Sequence, residues 1–146
     1  MKIAIASDHR GYNLKKYLIE ELKGKYEILN LGTNSEESTD FPIYGIALGE
    51  AIRDKKADLG IAICGTGIGI SIAANKVKGV MCAKINNINE ARLAKEHNNA
   101  NVIALSGDTD EAEALSMIET FLNAKPNTEE KYQRRINEIL TYDNER

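Results

Sequence analysis

Five short apolar runs alternate with longer amphipathic stretches along this chain, and that alternation limits the possible folds more than any other feature. The runs are KIAIAS at 2–7, YEILNLG at 26–32, LGIAIC at 59–64, VMCAKI at 80–85 and VIALS at 102–106. The first, third and fifth are almost continuously apolar, as in strands buried on both faces of a parallel sheet. We therefore predict five strands with helices on both sides of the sheet.

The stretches between these runs have the spacing of amphipathic helices. Leu14, Leu18 and Leu22 recur every four residues in the first stretch, and Pro42 suits the first turn of the second. Further helices are expected at 72–76, around 91–94, at 111–123 and from 128 to about 142. Right-handed crossovers then predict an α/β fold, a doubly wound three-layer sandwich with a C-terminal helix. We expect the strand order 2-1-3-4-5, which is common for such sheets.

Size and charge exclude several classes of protein. A length of 146 residues is typical of one domain, so residues 1–146 are expected to form a single unit. The net charge of −3, with basic and acidic residues interspersed, argues against a nucleic acid partner. The apolar stretch after Met1 is too short for a signal peptide or a membrane span, and the two cysteines have no CxxC or Cys/His spacing. We expect a cytoplasmic protein without a metal.

The densest motif is the glycine-rich segment CGTGIGIS at 64–71, which begins at the end of the third run. Three glycines in five residues allow a tight bend that approaches a ligand, and amides at a helix N-terminus bind anions. A dinucleotide-binding loop would need glycine where this chain has Ile70, and the Gly-Lys-Ser/Thr ending of a Walker A loop is absent. The segment therefore indicates a different kind of anion site.

Cys64 ends a predicted strand directly before this loop. A helix dipole and loop amides there would favour a thiolate, which makes Cys64 a candidate base or nucleophile. The alternative is a buried structural cysteine, which is the interpretation we favour for Cys82 inside the fourth run.

Asp8 and His9 follow the first strand, so we expect them at the edge where open α/β sheets bind ligands. With the expected strand order, strands one and three flank the switch point, and both residues would share a crevice with Cys64. Each also has a simpler interpretation, because Asp8 could cap the next helix and His9 could be solvated.

His97 is the second histidine and ends the fourth predicted helix, shortly before strand five. By itself it resembles a polar helix C-terminus. Since that helix runs antiparallel to the strands, His97 should lie at the opposite end of the sheet from Cys64. It could act in catalysis only across a subunit interface.

Three segments together resemble one enzyme family. These are CGTGIGISIAANK at 64–76, SDH at 7–9 and EHNNANVIAL at 96–105, and they are similar to ribose-5-phosphate isomerase type B and its hexose-phosphate relatives. The resemblance spans nearly the whole chain. It implies a Rossmann-like fold, an aldose-ketose isomerase without metal or cofactor, and a homodimer or dimer of dimers with active sites between subunits.

The resemblance also implies roles for individual residues. Cys64 would be the base that moves a proton between C1 and C2 of ribose 5-phosphate, and His97 the acid that opens the ring. Some relatives have a glutamate base at the position of Ile70, so the chain resembles the cysteine branch. Thr66 would assist proton movement between the two oxygens. The expected substrate-binding residues are Asp8, His9, Gly65, Gly67, Ile68, Gly69, Asn98, Lys131 and Arg135.

The expected phosphate site departs from the family pattern. Arginines of the family are replaced by Met81 and Asp108, and its GGRH motif reads EEKY at 129–132, although Arg135 is retained. Arg10, Lys131 and Arg134 are candidate substitutes. Two alternatives therefore stay open: a hexose-6-phosphate isomerase for galactose or allose, and a catalytically weak sugar-phosphate-binding protein of the same fold.

Overall fold

The computed structural model describes residues 1–146 and contains a five-stranded parallel sheet. The strands are β1 Lys2–Ser7, β2 Glu27–Asn30, β3 Leu59–Cys64, β4 Cys82–Lys84 and β5 Val102–Ser106. The helices are α1 Tyr12–Leu22, α2 Phe41–Arg53, α3 Ile68–Asn75, α4 Ile88–Asn98, α5 Glu111–Asn123 and α6 Glu130–Glu145, with a 3-10 turn at His9–Gly11. The predicted α/β sandwich is confirmed. None of the helices is both long and apolar enough to cross a membrane.

The predicted strand order 2-1-3-4-5 is wrong at its last two positions. The order is β2-β1-β3-β5-β4, with β5 paired to β3 from Gly60↔Val102 to Cys64↔Ser106. Burial explains the exchange, because Val102 to Leu105 of β5 are fully buried whereas all three residues of β4 are only half-buried. A continuously apolar strand belongs inside the sheet, and a short, partly exposed one belongs at its edge.

Two apolar cores lie on opposite faces of the sheet. The larger joins α1, α4 and α5 to one face and includes Leu18, Ile61 and Phe121, all fully buried. The smaller joins α2 and α3 to the other face through Leu48 and Ile70. The expected helices on both sides are therefore present, and they leave the two ends of the sheet for the loops.

The last helix lies outside this sandwich. At its start, the Asn127 N–H donates to the Glu96 carbonyl of α4 at 2.8 Å, and near its end Asp143 accepts the Gly79 N–H at 2.6 Å. The α6 helix therefore links the end of α4 to the turn between α3 and β4. Only Ile136 of α6 is buried.

The edge strand β4 is partly closed by a side chain of α3. The Asn75 side-chain amide donates to the Cys82 carbonyl at 2.9 Å and accepts the Cys82 N–H at 2.7 Å, as a neighbouring strand would. This pairing reduces the tendency of an exposed strand to recruit another chain.

Candidate active site

The loops that follow β1, β3 and β5 are joined at one end of the sheet, which we call the carboxyl edge. The Gly107 N–H donates to the Cys64 carbonyl at 2.8 Å, and the Ser106 hydroxyl donates to the Gly65 carbonyl at 2.7 Å. On the other side of β3, the Asp8 N–H donates to the Ile63 carbonyl at 3.3 Å. With β1 and β5 flanking β3, these bonds fix the loops around Cys64.

Cys64 is 5% exposed, and its sulfur faces the start of α3. The Gly67 N–H donates to Cys64 Sγ at 3.2 Å, and Thr66 Oγ1 accepts the Ile68 N–H at 3.1 Å. The helix begins at Ile68, earlier than the predicted residue 72, because Gly67 takes a left-handed conformation with φ of 81° and turns the chain into the helix. A peptide donor and the N-terminus of a helix therefore both lie beside the sulfur.

The backbone of Gly67 also touches β5, which allows a prediction about the loop. A Cβ at Gly67 would lie 2.8 Å from the Leu105 carbonyl carbon, whereas one at Gly79, with a similar φ of 89°, would have no atom within 4 Å. We expect Gly67→Ala to lower the free energy of unfolding by about 1–2 kcal/mol more than Gly79→Ala, because only Gly67→Ala adds a backbone clash to the left-handed strain. Urea unfolding of both variants measures this difference. Equal losses would contradict the close packing of the loop on β5.

The structure supports the capping interpretation of Asp8. One carboxylate oxygen, Oδ1, accepts the Arg10 N–H at 2.9 Å and the Gly11 N–H at 3.1 Å, and the residue is buried. The adjacent His9 is half-buried, and its Nδ1 lies 3.2 Å from both the N–H and the carbonyl of Thr39. These contacts fix the His9 ring at the carboxyl edge beside the loop that precedes α2.

The other predicted residues lie at the opposite end of the sheet. His97 and Asn98 end α4, while Lys131 and Arg135 lie one turn apart on the exposed surface of α6. A six-residue strand such as β3 spans about 16 Å at ~3.3 Å per residue, so His97 cannot reach Cys64 within one chain. The structure therefore brings the predicted site residues together in two groups, not one.

His97 has an aromatic neighbour that the sequence does not reveal. Its ring stacks on Tyr132 of α6, with ring centroids 4.6 Å apart and planes 13° from parallel. Lys131 Nζ lies 5.2 Å from the centroid of the same tyrosine ring. The contact joins residues 35 positions apart, and no motif in the sequence points to it.

The C-terminal end of α4 is itself firmly anchored. Lys95 is buried, its Nζ donates to the Ala100 carbonyl at 3.0 Å, and it lies 4.7 Å from the centroid of the Phe121 ring. Burial lowers the pKa of Lys95. Asn98 lines a small cleft of about 200 Å³ with Met81 and Cys82, so the surface at this end of the molecule is concave.

An apolar surface lies beside the glycine loop, on the exposed sides of α2 and α3. It consists of Phe41, Ile46, Ile68 and Ile72, which are 36–56% exposed. The Phe41 ring packs on Gly69, where a Cβ would lie only 2.7 Å from Cζ of the ring. No group of three or more His, Cys, Asp and Glu side chains is placed to hold a metal ion.

Comparison with known proteins gives consistent matches. Residues 3–139 match the family described as Ribose/Galactose Isomerase. The solved structure of Clostridium thermocellum ribose-5-phosphate isomerase B superimposes with a TM-score of 0.94 at 41% identity, covering 99% of both chains. Ribose-5-phosphate isomerase B of Mycoplasma genitalium, solved with bound ribulose-5-phosphate, gives a TM-score of 0.92 at 40% identity, covering 99% of this chain and 97% of that one. The galactose-6-phosphate isomerase subunit LacB of Clostridium acetobutylicum is 42% identical over 86% of this chain and 73% of its own.

Proposed function

We propose that this chain, which belongs to the Ribose/Galactose Isomerase family, interconverts ribose 5-phosphate and ribulose 5-phosphate through an enediolate. The observation that carries the proposal is the environment of Cys64, whose buried sulfur accepts the Gly67 N–H at the start of α3. The two ribose-5-phosphate isomerases with matching folds support this choice of substrate.

Cys64 is the proposed base that removes the proton from C2 of the open-chain aldose and returns it at C1. The reaction places negative charge on the substrate oxygens, and preorganised N–H donors stabilise such charge. The N–H groups of Gly65, Thr66 and Gly69 have no acceptor within the chain, so they are available to these oxygens. We assign proton transfer between the two oxygens to the Thr66 hydroxyl.

The second proposed catalytic group is His97 of the partner subunit, which opens the sugar ring as an acid. The partner subunit has to supply this histidine because His97 and Cys64 are too far apart within one chain. The proposal therefore requires at least a homodimer. The apolar surface of Phe41, Ile46, Ile68 and Ile72 adjoins the glycine loop, so a second copy covering it would lie close to Cys64.

The sugar contacts in this arrangement come from Asp8 and His9 of one subunit, and from the partner subunit's Asn98, Lys131 and Arg135.

A galactose 6-phosphate or allose 6-phosphate substrate is the second candidate, favoured by the match to LacB. Ketose formation from ribose 5-phosphate, galactose 6-phosphate, allose 6-phosphate and free ribose decides between them. The pentose phosphate is expected to have the highest kcat/KM. If no aldose phosphate yields a ketose, the proposed function is wrong and a binding role remains.

The stack between Tyr132 and His97 leads to a testable prediction about ring opening. We expect Tyr132→Ala to lower kcat about 3- to 10-fold, because aromatic pairs contribute about 0.5–1.5 kcal/mol and here the contact orients the proposed acid. Tyr132→Phe keeps the ring and should retain nearly full activity. The loss of kcat should be smaller when opening of the sugar ring does not limit the rate. Equal activity of the Ala and Phe variants would show that the stack does not position His97.

A further inference from the structure

A single cation lies over the glycine loop. If Gly65 carried a Cβ, that atom would lie 3.4 Å from Cζ and 3.5 Å from Nη1 of Arg10, so the guanidinium rests directly above the residue that follows Cys64. Arg10 is the only arginine or lysine in the segments 8–11, 65–67 and 107–110, which follow β1, β3 and β5. Positive charge at this part of the carboxyl edge therefore depends on Arg10.

The guanidinium is only loosely held within the chain. Its Nη2 lies 3.9 Å from Asp108 Oδ2, which is too long for a hydrogen bond, and the two side chains are 59% and 80% exposed. The hydrogen bond from Arg10 to Asp8 uses its backbone N–H and leaves the guanidinium free. Exposed ion pairs of this kind contribute little to stability, so the donors are available to a ligand.

Among the nearby carboxylates, only Asp108 lies within 4.0 Å of a nitrogen of this guanidinium. Asp8 Oδ1 is occupied by the N–H groups of Arg10 and Gly11, and Asp110 accepts the Glu113 N–H at 3.1 Å as the cap of α5. The cap of α5 is therefore Asp110 and not Asp108. Asp108 instead faces Arg10, and the guanidinium offsets the negative charge that would repel a phosphate.

We propose that Arg10 binds the phosphate group of the sugar phosphate from within the same subunit, a role that rests on the proposed function. A guanidinium can donate two parallel hydrogen bonds to a phosphate, which a lysine cannot do in the same geometry. Because Arg10 lies over Gly65, next to Cys64, one short extended substrate can contact both. Arg10 thereby determines the preference for phosphorylated over free sugars. Its positive charge also offsets the negative charge of Asp108.

Calorimetric titration with ribose 5-phosphate, inorganic phosphate and free ribose tests this role, alongside steady-state kinetics. Arg10→Gln should weaken binding of both phosphate compounds about tenfold or more and raise KM, while kcat changes less than about threefold. The affinity of Arg10→Lys for the phosphate compounds should fall between those of the wild type and Arg10→Gln. Binding of free ribose should not change in any of these variants. Arg53→Gln is the matched control, because Arg53 is exposed at the end of α2 and pairs with Asp54.

A second substitution tests the electrostatic part of the proposal. Asp108→Asn should improve phosphate binding more in the Arg10→Gln background than in the wild type, because Arg10 otherwise neutralises the carboxylate. Equal effects in the two backgrounds would overturn this compensation.

The outcomes separate this inference from the proposed function. If the wild type isomerises ribose 5-phosphate but Arg10→Gln binds both phosphate compounds as tightly as Arg53→Gln, the Arg10 inference is wrong and the function stands. If the wild type has no isomerase activity, the function is wrong, and the phosphate titrations alone decide the role of Arg10. A wild type that binds neither phosphate compound also overturns the inference.

Discussion

Replacing Cys64 by alanine is expected to lower kcat for isomerisation by roughly 10²- to 10⁴-fold, the usual contribution of a positioned general base. No second base stands in the first turn of α3 six residues beyond Cys64, because this position is the buried Ile70. The substitution removes one sulfur atom from a site that is held mainly by backbone hydrogen bonds, so the fold should persist. Steady-state kinetics and the rate of solvent deuterium uptake at C2 of ribose 5-phosphate measure the loss.

The other cysteine provides the matched control. Cys82 begins β4 at the opposite end of the sheet from Cys64, and desolvation raises the pKa of its thiol to about 12, so this thiol is a poor base at neutral pH. Cys82→Ala should therefore retain nearly full activity and proton exchange. If Cys64→Ala exchanges the proton as fast as Cys82→Ala, then Cys64 is not the base.

Mixing two inactive variants is expected to restore activity, because each proposed site combines Cys64 of one subunit with His97 of the other. Chains with Cys64→Ala and chains with His97→Ala would each form dimers with two defective sites. Random reassembly of equal amounts makes half of the dimers mixed, and each mixed dimer has one intact site of two. The refolded mixture should therefore show about a quarter of wild-type activity.

The controls for this experiment use the same chains. Each variant refolded alone should stay inactive, and so should a mixture of Cys64→Ala chains with chains that carry both substitutions. No recovery in the mixed sample, with dimers present by light scattering, would show that His97 does not act across the interface. A fully active wild-type monomer would contradict the shared site altogether.

Most of the sheet could be predicted because a strand that is buried on both faces is continuously apolar in sequence. The runs 2–7, 59–64 and 102–106 became β1, β3 and β5 at the centre of the sheet. Continuous apolarity also favours an interior position for β5 and the edge for β4, whereas the common strand order 2-1-3-4-5 places them the other way round. The boundaries of β2 and β4 were predicted too long, since edge strands are shorter than their apolar patterns.

The candidate site was predictable only where its residues are contiguous in the chain. Cys64 and the glycine loop share one segment, and Asp8 and His9 directly follow a strand, so sequence position alone brings them to the carboxyl edge. The pairs Arg10–Asp108 and His97–Tyr132 depend on how distant loops and helices pack, which leaves no local pattern. The catalytic and binding roles of all these residues stay predictions.

Proton NMR of ribose 5-phosphate incubated with the purified protein in D₂O tests the central claim most directly. In the proposed mechanism Cys64 takes the proton from C2, and this proton exchanges with solvent before it is returned to C1 or C2. Ribulose 5-phosphate should therefore appear with deuterium at C1, and the remaining aldose should lose its C2 proton signal. Ketose that forms without any deuterium, even at long incubation, would contradict transfer of the proton through Cys64. The absence of both ketose formation and C2 exchange would contradict the isomerase itself.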